Sequence, residues 1–190
     1  MPDALDLLKT RRSVPSAFLG EPGPTPDELR EILTIGARVP DHGKLAPWRF
    51  VVIMGDERQQ AGEAIADIFK RKNPDAERSK VDDLRDRIAK TPLTLVVVSR
   101  TAPHPKIPEW EQFLSAGNVA MNTVLAVHAL GYGANWVTGF AAYDADAAAL
   151  VGTVETERIV AVIHIGSPSE TLSERRRPDI DDITTYWRPG

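Results

Sequence analysis

Arg38-Val-Pro-Asp-His-Gly-Lys-Leu-Ala-Pro-Trp48 gathers a guanidinium, an imidazole and an ammonium into eleven residues. Arg38, His42 and Lys44 can present hydrogen-bond donors to a polar ligand, and Pro40 and Pro47 stiffen the path between them. The plainer account is an anchored surface loop whose Trp48 plugs the core. A second cationic group, Arg11-Arg12-Ser13, follows a short helical pattern. Two guanidiniums and a hydroxyl make a fork of donors suited to a phosphate. Cations at that position would equally complement the negative end of a helix dipole. Arg175-Arg176-Arg177-Pro178 reads either as a solvated basic tail or as another phosphate contact. Gly131-Tyr132-Gly133 leads into Ala-Asn-Trp-Val-Thr-Gly139 without completing a GxGxxG fingerprint. Its glycines are therefore read as ending a helix and turning the chain.

Several chemistries are excluded. The chain has no cysteine, which removes thiol nucleophiles, disulfides and CxxC redox chemistry, so redox work would need a bound cofactor. The four histidines, His42, His104, His128 and His164, have no HxH or HExxH spacing, and no metal site is expected. His128 and His164 lie in apolar patterns and read as core histidines. GxSxG is absent, so a serine hydrolase has no support. A net charge of −4 with interspersed signs gives no reason to expect nucleic-acid binding. The first residues lack an apolar signal-peptide core, and no apolar run approaches a membrane span of about 18 residues. A cytoplasmic protein of one domain, residues 1–190, is expected.

The elements that must carry these groups alternate loosely. Asp3 can cap a helix over 3–10. Thr25-Pro-Asp-Glu28 is a capping box opening a helix that stops by Pro40. Phe50–Ile53, Leu93–Val98 and Arg158–Ile165 read as strands. The charged stretch 57–90 is helical with a break at Asn73-Pro74, and Asp144 starts another short helix. Ile183–Trp187 is a candidate final strand. The stretch 111–130, EQFLSAGNVAMNTVLAVHAL, has one charged residue, Glu111, and apolar or small residues on every face. Such a helix is covered all round, by a shared core or by a partner subunit, and Ser115, Ala116, Gly117 and Ala120 allow close approach. Pattern alone gives α/β or α+β.

In order along the chain, RRS, TPDELREILTIGARVP, PDHGKLAPWRFVVI, WEQFLSAGNVAMNTVLAVHALGYGANWVTGF and RRPDIDDITTYW resemble the nitroreductase family of flavin enzymes. The PDH form of the loop resembles its compact YdjA-like subgroup. The resemblance implies a three-layer α+β fold, with a central mixed sheet flanked by helices. It implies an intertwined homodimer with FMN at the interface, reduced by NADH or NADPH. The acceptor would be a nitroaromatic, a quinone or another conjugated small molecule. The flavin would carry the chemistry, with no protein nucleophile or general acid. Carried over by position, Arg11, Arg12 and Ser13 would hold the phosphate and the polar edge of the flavin. Arg38, Pro40 and His42 would reach it from the other subunit. Trp136, Val137 and Thr138 would line the isoalloxazine, and Arg177 would touch phosphate. One departure stands out: larger members carry Ser-x-x-Asn where this chain has Asp41-His-Gly-Lys44. Lys44 then stands where an amide would polarise the flavin, and a cation there would raise its potential. A different flavin reaction on the same scaffold, such as dehalogenation or dehydrogenation, and a non-catalytic flavin-binding dimer are the alternatives.

Overall fold

The computed structural model describes residues 3–189. Helix α1 (Ala4–Thr10) begins where the Asp3 carboxylate accepts from the Leu5 and Asp6 amides. Strand β1 (Leu19–Gly20) is short. Helix α2 (Pro26–Gly36) carries the expected capping box, Thr25 and Glu28 satisfying each other's backbone amides. Tyr132 Oη donates to Glu28 Oε2 at 2.9 Å, tying that box to a distant part of the chain. Strand β2 (Trp48–Met54) leads to α3 (Glu57–Lys72) and α4 (Arg78–Ala89), parted at Asn73-Pro74 as the sequence predicts. Then come β3 (Leu93–Ser99), α5 (Glu109–Ala129), β4 (Gly133–Val137), α6 (Gly139–Tyr143), α7 (Ala145–Leu150) and β5 (Arg158–Pro168). No helix among the described residues is long and apolar enough to cross a membrane.

Strand β3 pairs with β2 on one side and β5 on the other; β5 also takes β4 and, at its end, β1. Three layers result. One face of the sheet packs on α2 and α5 through Ile32, Val119, Val127, Leu95, Val97 and Ile163. The other packs on α3, α4, α6 and α7 through Ile65, Ile88, Val96, Val98 and Val162. The architecture is the expected α+β one.

The sheet itself differs from the mixed one expected: every strand pair among the described residues is antiparallel. The connections explain this. The α3–α4 hairpin returns the chain to the end of the sheet it left, so β2 and β3 are antiparallel. Helix α5 is a crossover that leaves β4 running the same way as β3, but β5 inserts between them and separates the parallel pair.

Two more expectations fail. Residues 133–137 form a strand rather than part of a glycine turn. Gly131, at φ +90°, does end the helix there, but Gly133 is buried against Leu19 and Val14, where a side chain would clash. Ile183–Trp187 forms no strand within the chain. A short 3₁₀ turn at Asp181–Ile183 is followed by exposed backbone that pairs with no strand among the described residues.

Candidate active site

The sequence-selected groups fall at the two ends of α5. At its C-terminal end, Arg11 and Arg12 follow α1, and the Val14 amide donates to the Ala134 carbonyl at 2.9 Å, seating Ser13 beside β4. The tail comes back across them: an Arg12 guanidinium N–H donates to the Ser173 carbonyl. Arg11 titrates below its usual range, first through burial and then through Arg177, Arg12 and Arg175; Glu174 opposes them. Arg175 therefore belongs with the expected Arg177, and Arg177 is already engaged by Glu174 at 3.0 Å. His128, on the last turn of α5, is held near pKa 4, chiefly by burial and then by Arg11. Its Nε2 is buried without a hydrogen-bond partner, so it is not the satisfied core histidine that the sequence predicts. Cations this close, with one carboxylate among them, are the donor set for an anion of more than one charge.

Strand β4 leads away from that cluster. Ala134 turns its carbonyl outward to Val14, and side-to-side alternation gives Trp136 the same outward N–H and C=O. Trp136 is an exposed large aromatic on this open edge, followed by half-buried Val137 and Thr138. Gly139 next takes φ +57°, with nothing within 4 Å of where a side chain would begin. The strand offers a flat edge with open space at its end.

At the N-terminal end of α5 lies the loop after α2. Its residues are sewn to one stripe of the helix. Glu111 Oε2 lies 2.8 Å from His42 Nδ1. Ser115 Oγ donates to the Pro40 carbonyl at 2.5 Å. Asn122 Nδ2 donates to the Ile35 and Arg38 carbonyls at 2.6 and 3.0 Å. Helical spacing of four and seven puts these three polar side chains on one line. Beyond His42 the backbone enters the left-handed region three times, at Gly43 (φ +73°), Lys44 (+57°) and Ala46 (+45°). Lys44 and Arg38 are exposed and form no ion pair among the described residues. Trp48 packs against the core, so the loop is anchored as well as armed.

The two ends do not meet within one chain. From Glu111 to His128 the helix climbs seventeen residues, about 25 Å at about 1.5 Å per residue. Sequence reading missed Asp41, Glu111, Ser115 and Asn122 as loop holders. The available signal was polar spacing in an otherwise apolar helix.

The nitroreductase family model matches residues 8–167, most of the chain and both ends of this site. The chain belongs to the nitroreductase family. YdjA of Escherichia coli strain K12, named provisionally as an NAD(P)H nitroreductase, is 33% identical over 186 residues, covering 97% of this chain and all of that one. A nitroreductase-like family protein from Bacillus cereus superposes with TM-score 0.85 at 23% identity, over 98% of this chain and 96% of that one. A nitroreductase with bound FMN from Bacteroides fragilis gives TM-score 0.69 at 19% identity, over 98% and 100%. At those identities the structures speak for the fold alone. Family membership accounts for the ordered motifs within residues 8–167.

Proposed function

We propose that the protein is a cytoplasmic NAD(P)H oxidoreductase that uses FMN held between two copies of the chain. Nitroaromatics, quinones or similar flat conjugated molecules are its acceptors. The observation that carries this reading is the division of the site between opposite ends of one helix. Two copies related by a two-fold axis across the middle of α5 would lie antiparallel there. Each His42–Lys44 loop then meets the other copy's Arg11 cluster. The surface of α5 suits such a crossing: Trp110, Phe113, Leu114 and Met121 are exposed along it, and Gly117 has nothing within 4 Å above it. Exposed apolar area of this kind marks an interface. Ile180, Ile183, Tyr186 and Trp187, the last 84% exposed, extend it along a tail free to wrap the partner.

FMN fits the residues present. Arg11, Arg12 and Ser13, with Arg175 and Arg177 opposite, would hold its phosphate by paired guanidinium donors. From Ala134 to Thr138 the open edge of β4 runs about 13 Å, a length suited to a ribityl chain followed by a ring. Trp136, Val137 and Thr138 would line that ring, and the vacant space at Gly139 admits its rim. Arg38, Pro40, His42 and Lys44 of the second copy would close the other side.

Bound there, FMN supplies hydride acceptance and donation, which a chain without cysteine does not. The residues of the chain bind and orient it, shield one face from water, and set the local charge. One open stacking face serves both nicotinamide and acceptor, so they visit in turn, a ping-pong order. Supporting this reading are the donor set, the open edge, the family, and the NAD(P)H and FMN in the names of similar proteins.

The test is an absorbance spectrum of the purified protein with FMN, followed by anaerobic titration with NADH and with NADPH. A yellow dimer that bleaches and recovers its colour with a nitroaromatic or quinone is expected. Yellow protein that turns over no acceptor would instead be a flavin-binding dimer, and a colourless monomer would end the proposal.

A further inference from the structure

The turn after Pro40 is strained and yet ordered. Gly43 has a reason to be glycine: a side chain there would begin 2.4 Å from Ile107 Cδ1. Lys44 and Ala46 have no such licence, and non-glycine residues in the left-handed region persist only where surrounding contacts over-determine them. The contacts come from one side chain. Asp41 Oδ1 accepts from the Leu45 amide at 3.1 Å, and Oδ2 accepts from the Ala46 amide at 2.9 Å. The Asp41 carbonyl takes the Lys44 amide at 3.2 Å. A single carboxylate thus spans the strained residues with both oxygens. The residues on either side of Asp41, Pro40 and His42, are pinned to Ser115 and Glu111, so strain cannot relax backwards along the chain. The turn ends with Lys44 exposed and free of any ion pair among the described residues.

We propose that Asp41 is a positioning residue that locks this turn so that the Lys44 ammonium is held toward the flavin bound by the second copy. This rests on the FMN dimer proposed above and deepens it. The lock is made by the chain's own atoms, one carboxylate and two backbone amides. Preorganised charge acts on a ring without reorganising when the ring's charge changes, and here that charge is positive. An unlocked turn would let Lys44 swing into water, where its attraction for a reduced, anionic ring is screened. Asn at position 41 could accept with one oxygen only, leaving one of the two amides without its partner.

Wild-type protein is first loaded with FMN; a chain that binds none sinks the underlying reading, independently of Asp41. Next, FMN dissociation constants by fluorescence quenching and reduction potentials are measured for Asp41→Asn, Lys44→Ala and the double variant. Asp41→Asn should weaken FMN binding about tenfold, the worth of one charge-assisted hydrogen bond. It should also lower the potential in the same direction as Lys44→Ala. The double variant should sit no lower than Lys44→Ala alone, because the two substitutions remove one effect. An Asp41→Asn protein with wild-type potential overturns the proposal, and so does an additive double variant or a Lys44→Ala protein whose potential does not move. Amide exchange of the unmodified apo-protein guards against a variant that fails to fold. The Leu45 and Ala46 amides, the latter on an exposed residue, should be protected by Asp41 alone; exchange at free-peptide rates overturns the lock.

Discussion

The two ends of α5 are built in opposite ways. At the N-terminal end nearly every group has a partner: His42 has Glu111, Pro40 has Ser115, Arg38 and Ile35 have Asn122, and Asp41 holds Leu45 and Ala46. At the C-terminal end several cations crowd around one carboxylate, Glu174. Arg11 titrates below its usual range through burial and then through Arg177, Arg12 and Arg175, Glu174 is the carboxylate beside them, and His128 Nε2 is buried without a hydrogen-bond partner. Unpaired like charges and an orphaned buried nitrogen are costly unless a ligand arrives to satisfy them. The comparison teaches a division of labour. On the proposed reading one end is completed by an anion, and the other is held by its own hydrogen bonds and presents Arg38 and Lys44, exposed and in no ion pair among the described residues.

The most disruptive way to break this comparison is to keep the ends apart. Gly117→Glu puts a charged side chain on the exposed middle of α5, where nothing in the chain lies within 4 Å. The monomer fold should tolerate it, since Glu also has the better helix propensity. A burial-dependent interface should not, because an unpaired charge there costs several kcal/mol, on the order of a thousandfold in association. Sedimentation should show a folded monomer that has lost FMN. A dimeric Gly117→Glu protein with bound flavin would mean that the ends are joined by some other face.

The next largest effect separates the cation cluster from the loop. Arg11→Ala removes a bidentate phosphate partner and should weaken FMN binding by roughly ten- to hundredfold, about 1.5–3 kcal/mol, with the loop and dimer intact. His128 reports the same change. Its pKa, near 4, lies below the ordinary histidine value of 6.5, through burial first and Arg11 second. An unfolded chain thus takes up that proton first, and the stability His128 contributes is present above pH 6.5 and lost as pH falls toward 4. Removing the Arg11 cation should raise the His128 pKa, which NMR titration of the imidazole checks. A His128 that titrates unchanged in Arg11→Ala would place Arg11 away from the end of α5.

How far these ends could be read from the residues follows the same division. The capping box at Thr25, the break at Asn73-Pro74 and the three long strands were legible, because each depends on local chemistry within a few residues. The chain's three cationic stretches were also legible as such. That Arg175 and Arg177 both come close to Arg11, with Arg177 also held by Glu174, was not, since it depends on how the tail returns across α1. Strand β4 was missed because Gly131 and Gly133 imitate a turn; only its pairing with β5 makes GANWV a strand. The mixed sheet was expected from resemblance, and the insertion of β5 between β3 and β4 is a topological fact that periodicity does not carry. In the stretch 111–130 Glu111 stands out as the one charged residue, but Ser115 and Asn122 look like small or neutral positions. Their role appears only once the loop is seen lying against them.

The smallest effect tests whether the loop end is strained as its geometry states. Replacing alanine by glycine in an ordinary loop costs about 0.5–1 kcal/mol, because the unfolded chain gains freedom. Ala46 sits at φ +45°, where alanine itself is penalised by about 1 kcal/mol and glycine is not. The two terms nearly cancel, so Ala46→Gly should leave the thermal midpoint unchanged or raise it slightly. The same exchange at Ala37, which ends α2 at φ −76°, should lower it. Paired thermal melts of the two variants read the difference directly. If Ala46→Gly loses as much stability as Ala37→Gly, the turn is not left-handed at that residue in solution. The contrast between a preformed end and a waiting end then loses its strained member, because Asp41 would be bonding two amides of a relaxed loop.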